Sequence, residues 1–316
     1  MRVRHGIKQG DADIKFGMAL HVIFNSIKKV WNQFDASHTV FCLEGRSWRK
    51  TMYAPYKANR KILNDKKSVS EKEEDAAFFL VINEFVDFIQ TKTNCSVLRH
   101  PEAEADDLIY RWIALHPNDE HVIISSDSDF QQLIASNVKI YNGIAGLLYT
   151  NTGVFDKDGN PAKNKKGEIM KVPDPEWILF EKCIRGDDND NIFSSFPGVR
   201  TKKLIEAYND RENKGFQWNN LMLSKWTDHE SVEHRVKDLY TRNKLLIDLT
   251  QIPVDLVEKF DALIKESIIV NLRTQVGISL MRFCNNHGLV KIEKACGEFS
   301  PCLSSPYKGH LTMEMT

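Results

Sequence analysis

From Phe16 onward, apolar residues recur at Phe16, Leu20, Ile23, Ile27, Val30 and Phe34. Steps of three and four turn one face of a helix inward. The pattern changes after His38: Thr-Val-Phe-Cys-Leu is an apolar run of strand length that ends on Glu44. Phe78, Ile82, Phe85 and Ile89 predict a second helix, Ser96-Val97-Leu98 a short strand, and Ala105, Leu108, Ile109 and Trp112 a third helix. His121-Val122-Ile123-Ile124-Ser125 is the clearest strand of the sequence. Phe130, Leu133 and Ile134 predict a short helix after it, and Val138-Lys139-Ile140-Tyr141 another strand. Strands alternating with helices predict an α/β fold with a mainly parallel sheet flanked by helices.

Residues 153–172, with Asp158-Gly159 and Lys166-Gly167, read as a polar hairpin insertion. Glycine follows Asp158 rather than Asn160, so Asp156, Asp158 and Asn160 read as a turn and not as a calcium loop. From Pro173 the pattern is helical to Leu289. The expected organisation is an α/β domain over 1–172, a helical region over 173–300 and a mobile tail over 301–316.

Composition is that of an ordinary globular protein, 42% hydrophobic and 27% charged over 316 residues. No run approaches the roughly 18 apolar residues of a membrane span. The start, Met1 to Asp13, is polar, unlike a secretory leader, so a cytoplasmic protein is expected. None of the six cysteines forms a C-x-x-C pair, which favours free thiols over zinc or disulfides. Net charge is zero, but unevenly so: Arg46, Arg49, Lys50, Lys57, Arg60, Lys61, Lys66 and Lys67 face a single acid, Asp65. Acids gather instead at 102–107 and 187–190. One such run is an ordinary solvated face; a metal site and a phosphate-binding surface on one molecule would cancel in this way.

The strands ending at Glu44 and before Asp127 deliver carboxylates to the C-terminal edge of a sheet, where ligands bind in open parallel sheets. Asp127 and Asp129 stand on the turn leaving that edge; Glu104, Asp106 and Asp107 stand at the start of the third helix; Asp187 and Asp190 follow a helix. Taken singly, each group reads as helix capping or turn chemistry. Together they place many anions at one edge, which is unfavourable unless cations neutralise them. An oxygen-only donor set suits Mg²⁺ or Mn²⁺, and two such ions about 4 Å apart can cleave phosphodiesters.

Glu104-Ala105-Asp106-Asp107, Ser126-Asp127-Ser128-Asp129-Phe130 and Gly186-Asp187-x-x-Asp190-Asn191 resemble, in this order, the metal-binding motifs of phage flap endonucleases and of the nuclease domain of bacterial DNA polymerase. Tyr56-Lys57-x-Asn59-Arg60 resembles that family's basic helical arch, Pro197-Gly198-Val199-Arg200-Thr201-Lys202-Lys203 its helix-hairpin-helix, and Arg242-Asn243-x-x-Leu246-Ile247-Asp248-Leu249 a late segment of the phage members. The resemblance runs from Met1 to the region of Gly288. It implies a PIN-like sheet and a structure-specific 5′ nuclease acting on branched or 5′-ended DNA and RNA–DNA duplexes. Glu44, Glu104, Asp106, Asp127 and Asp129 would hold metal; Asp107, Asp187 and Asp190 would complete a second site and its surroundings. Lys57 and Arg60 would contact the cleaved phosphate, Arg46 and Arg49 would guide the strand, and Gly198, Arg200, Lys202 and Lys203 would grip duplex phosphates. A K⁺ ion at the hairpin, replisome partners such as a single-strand-binding protein or clamp, and a monomeric state are implied too.

The chain departs from the family at three places. Glu44 and Arg200 stand where aspartate and a second glycine are usual. The family's opening strand, with a metal-binding aspartate, would precede Arg2-Val3-Arg4-His5; either it lies upstream of Met1 or the chain is a truncated, inactive member, and Asp11 and Asp13 are expected in a loop. Two other functions fit: a catalytically impaired branched-DNA binding protein, and a PIN-type ribonuclease, against which the hairpin and the basic stretch count.

Overall fold

A computed structural model describes residues 12–268 and 272–309. Helix α1 (Ala12–Gln33) buries Leu20, Ile23, Phe24, Ile27 and Val30, the face its periodicity predicts. It begins before Phe16, so Asp13 lies in the helix rather than in a loop; Arg2 to His5 and Asp11 lie outside the described residues. Strand β1 (Val40–Leu43) is followed by α2 (Arg49–Met52), α3 (Ala58–Asp65) and the long α4 (Val69–Lys92). Ser68 and Glu71 cap α4 reciprocally, so the capping residues, not the first apolar one, set its start. Then come β2 (Ser96–Arg99), α5 (Ala105–Leu115), β3 (His121–Ile124), a 3-10 helix at Ser128–Leu133 and β4 (Val138–Asn142).

β1 pairs parallel with β2, and β3 parallel with β4. β5 (Leu147–Thr150) and β6 (Gly153–Phe155) extend the second sheet antiparallel. Among the described residues, the expected single sheet is therefore two, and neither β1 nor β3 has a second ladder partner. β5, which pairs with both β4 and β6, is a strand the sequence pattern does not single out. Gly159 and Gly167, both at φ +82°, turn the polar insertion. Asp156 Oδ1 accepts the Asp158 and Asn160 amides at 2.9 and 3.0 Å, as turn chemistry requires.

The remaining elements are α6 (Pro175–Arg185), α7 (Thr201–Asn209), α8 (Phe216–Leu223), a small hairpin of β7 (Lys225–Thr227) and β8 (Glu233–Arg235), α9 (Val236–Ile247), α10 (Val254–Ser267), α11 (Val276–Asn286), α12 (Val290–Lys294) and α13 (Cys296–Ser304). They do not form one appended body. α6 to α9 share a cluster around Phe180, Leu204, Leu221 and Val236. α10 instead returns to pack Leu256, Phe260 and Ile264 against Leu98 and Leu108. α11 and α13 close the core of α1 and α4, where Phe24 meets Phe85, Phe283 and Phe299 at ring separations of 5.5, 6.3 and 6.2 Å.

The expected mobile tail is also corrected as far as residue 309. Cys302 and Leu303 are buried, Asn94 donates to the Ser304 carbonyl at 2.7 Å, and the Tyr307 hydroxyl donates to Asp119 at 2.8 Å. Apolar side chains with no clear period can still fill a core that distant segments build. Residues 310–316 lie outside the described residues. No described helix is long and apolar enough to cross a membrane.

Candidate active site

Glu44 leaves the C-terminal end of β1 exposed, beside the start of α5, whose Ala105 amide lies 3.4 Å from its Oε2. Gly45 makes this approach possible. Its amide donates to the Ala103 carbonyl at 2.8 Å, and a Cβ there would lie 2.0 Å from the His100 carbonyl oxygen. Glu104, at the N-terminus of α5, is buried but heavily partnered. Ser47 and Tyr56 donate to its Oε2 at 2.7 and 2.8 Å, Arg49 lies 3.2 Å away, and Lys57 pairs with Oε1. Burial disfavours the Glu104 carboxylate, yet Lys57 and Arg49 outweigh it and hold the group below the usual range.

Lys57 sits in the left-handed region at φ +54°, an uncommon conformation for a side chain of its size. Its amide donates to the Asp190 carbonyl at 2.8 Å, and its ammonium reaches Asp190 at 3.4 Å as well as Glu104. Arg60, one turn along α3, donates to the other Asp190 oxygen at 2.8 Å. The belt continues through the Asp187–Asp190 loop. Asp187 Oδ1 accepts the Asn189 and Asp190 amides at 2.9 and 3.3 Å, and its Oδ2 accepts from Lys182 at 2.6 Å. Lys182 also pairs with Asp129, which follows β3. Asp127 Oδ1 accepts the Asp129 amide at 3.1 Å and so starts the 3-10 helix. Glu104, Asp190, Asp187 and Asp129 thus form one acidic chain in which Lys57 and Lys182 each bridge two carboxylates.

The same fold matches known proteins. Residues 9–159 match the family described as 5′-3′ exonuclease, N-terminal resolvase-like domain. The chain is 26% identical over 277 residues to a DNA polymerase I of Rhizobium leguminosarum, covering 84% of this chain and 23% of that protein. It is 29% identical over 210 residues to a DNA polymerase I of Caldicellulosiruptor bescii, covering 61% of this chain and 21% of that one. It therefore spans less than a quarter of the length of these curated relatives. The T5 D15 protein co-crystallised with metal ions superposes with a TM-score of 0.56 at 19% identity, covering 95% of this chain and 96% of that one. A bacteriophage T5 D15 flap endonuclease in complex with DNA and metal ions gives 0.55 at 17%, covering 95% and 94%. The match to the 5′-3′ exonuclease domain thus covers just under half of the chain, and the T5 structures share its fold over nearly all of it.

Two residues assigned from the family's motifs stand elsewhere than expected. Arg49, expected to guide a strand, is 1% exposed. Its guanidinium lies 3.2 Å from Glu104 and 2.9 Å from Asp107, and its Nε donates to the Leu246 carbonyl at 2.8 Å. A basic residue next to acids can point inward as easily as outward, and sequence alone does not tell the two apart. Asp107, expected around the second metal, is fully buried behind the acidic chain, where it pairs with Arg49 and accepts the Glu104 amide at 3.0 Å. It braces the cluster from within the core.

Lys182 was not among the expected residues; its signal is a lysine one helical turn before the Asp187 loop. Among the described residues, no group of three or more His, Cys, Asp or Glu side chains converges as a preformed metal cage. The expected ligands are instead drawn toward lysines, as unneutralised carboxylates must be. Farther along, Gly198 turns at φ +69° and Arg200 precedes α7 in the open. Lys202 is exposed, and Lys203 lies over the Phe196 ring 5.0 Å from its centre. Arg46 is exposed beside Glu44.

Asp106 differs from the paired acids. Burial first, then Glu104 and Glu44, push it up to about 7, more than Lys57 and Arg49 relieve it. An acid whose folded pKa is raised contributes stability below its unfolded pKa, about 3.9, and loses it as pH rises through the folded value. Without divalent metal, the urea midpoint of the wild type should therefore fall relative to Asp106→Asn between about pH 4 and 7. A difference between the two proteins that stays flat across that range would show that Asp106 is not held in this environment.

Proposed function

We propose that this chain is a structure-specific 5′ nuclease that hydrolyses phosphodiester bonds of branched or 5′-ended DNA and RNA–DNA duplexes with two divalent ions, Mg²⁺ or Mn²⁺. The observation that carries the reading is the continuous acidic chain from Glu104 to Asp129, with basic side chains of α3 on one flank and the α7 hairpin on the other. The residues fit a divalent cation: the donors are all carboxylate oxygens, and burial with the neighbouring Glu104 and Glu44 pushes Asp106 up to about 7. Glu44, Glu104, Asp106, Asp127 and Asp129 would hold metal directly or through water, and Asp187 and Asp190 would complete the second site. Bound there, the ions would activate water and stabilise the leaving oxygen.

The protein's own cations act on the substrate. Lys57 and Arg60 project from one turn of α3 toward Asp190, where a phosphate carried to the acids would meet them. Arg46, in the open beside Glu44, guides the strand. The Gly198 amide with Arg200, Lys202 and Lys203 grips duplex phosphates without regard to sequence, with K⁺ at the hairpin turn. A cytoplasmic monomer working beside a single-strand-binding protein or clamp completes the proposal.

The test is Mg²⁺-dependent cleavage of a 5′-flap duplex against blunt duplex and nicked RNA–DNA. No cleavage of any of them at saturating Mg²⁺ would overturn the reading. Lys57 and Lys182 already neutralise Glu104, Asp190, Asp187 and Asp129, which favours one second reading, a branched-DNA binding protein with impaired catalysis; flap binding without cleavage would select it. Lys57→Ala should lower kcat roughly 100-fold with binding changed less than about threefold, because a cation at the reacting phosphate acts mainly on transition-state charge. Lys202→Ala with Lys203→Ala should instead weaken binding to all duplexes alike and reduce the slope of log K against log salt by up to about 2. Identical behaviour of the two variants would mean that catalysis and duplex grip are not divided this way.

A further inference from the structure

The loop after Asp190 carries an exposed phenylalanine that no part of the proposed chemistry uses. Phe193 is 58% exposed. A single exposed apolar side chain is ordinary in itself; how this one is held is not. Its carbonyl accepts from Asn243 Nδ2 at 2.8 Å and from Arg242 Nη2 at 3.2 Å. Asn243 is fully buried and also donates to the Cys183 carbonyl and to Ser195 Oγ, each at 3.0 Å. Ile192 is buried just before the ring, and Ser195 just after it. Gly186 clasps the loop from beneath: at its φ of +81°, a Cβ would lie 2.3 Å from the Ile192 carbonyl oxygen and 2.8 Å from the Phe193 carbonyl carbon. The backbone is fixed on every side while the ring is left in water. Arg242, which ties down the carbonyl, lies over the Tyr53 ring 4.7 Å from its centre.

Position adds the second argument. Phe193 follows Asp190 by three residues, so the two Cα atoms lie within about 11 Å, and it precedes Gly198 by five, within about 18 Å. Along the chain it therefore stands between the acids and the hairpin turn, within reach of both. A nucleic acid held at both places would pass within reach of this loop. An aromatic ring on a fixed backbone there offers a face to a base whatever its identity, and leaves only its own side-chain torsions to be ordered on binding.

Resting on the nuclease reading above, we propose that Phe193, flanked by Arg242 and Tyr53, is a positioning residue that stacks on the nucleobase between the cleaved phosphate and the gripped duplex. It acts through base stacking, sets no sequence preference and touches no reacting atom.

The test uses the full chain and a 5′-flap duplex with 2-aminopurine placed in turn at each nucleotide beside the branch, titrated in EDTA so that no cleavage is needed. Wild type should quench the fluorescence at one position, and Phe193→Ala should not at equal saturation. In Mg²⁺, Phe193→Ala should raise KM about 5- to 100-fold with kcat changed less. Phe193→Trp should restore it and Phe193→Leu should not, while an abasic site at the quenched position should bring wild type to the level of Phe193→Ala. Full activity of Phe193→Ala, full rescue by leucine, or a persistent difference on the abasic substrate would overturn the stacking role and leave the nuclease reading intact. Wild type that neither binds nor cuts the flap would overturn both.

Discussion

Replacing Asp127 and Asp129 together by asparagine is expected to reduce Mg²⁺-dependent cleavage roughly 10³-fold, the several kcal/mol that metal-ion catalysis supplies. Asparagine keeps the shape. Its Oδ1 can still accept the amide of residue 129, which Asp127 now does at 3.1 Å, so the 3-10 helix should persist. The charges alone are lost. Burial, working against Lys182, already raises the Asp129 pKa, so removing its charge removes a strained anion as well. Flap binding in EDTA should be unchanged or tighter, since two fewer anions face the phosphates. Single-turnover cleavage and anisotropy measure the two effects. Turnover within tenfold of wild type would mean that these acids do not serve the chemistry.

Arg49→Met should be the most damaging single change to stability. The guanidinium is 1% exposed, and its removal leaves Glu104 and Asp107 buried without their shared cation. Breaking a buried pair in this way costs about 3–5 kcal/mol, because the remaining charge has nowhere to go. Urea unfolding at pH 7 reads it directly. Arg49→Lys should recover little: one ammonium cannot reach two carboxylates and the Leu246 carbonyl in the fork geometry that Nε, Nη1 and Nη2 provide. Arg49→Met with Asp107→Asn should recover part of the loss, since the pair is coupled. A loss below about 1 kcal/mol for Arg49→Met would show that the acids find other partners.

The sequence made the local elements legible wherever one period dominated. The stripe from Leu20 to Val30 and the apolar runs of β1 and β3 stand where their patterns place them. The order of the acidic motifs was legible too, because each sits on a turn next to a strongly patterned element. What sequence could not give was direction. Arg46 and Arg49 are three residues apart in one basic stretch, yet one is exposed and the other enclosed. Asp106 and Asp107 are neighbours, but a helix turns successive side chains by about 100°, enough to separate cleft from core. Lys182 lay hidden for a different reason: its role depends on Asp129, which is 53 residues away. Likewise, α13 reads as featureless because its partners, α1 and α11, lie elsewhere in the chain.

The route by which α1 finds cover has a consequence during synthesis. Leu20 and Phe24 leave the ribosome early, whereas Leu280, Phe283 and Phe299, which complete their surroundings, come roughly 260 to 275 residues later. At about 5–20 residues per second, that interval lasts on the order of 13–55 s. For all of it the nascent chain carries an unfinished apolar face on α1 and α4. Nascent chains stalled after α10 should therefore be held by chaperones and cut readily by protease within α1 and α4. Chains released after α13 should resist both.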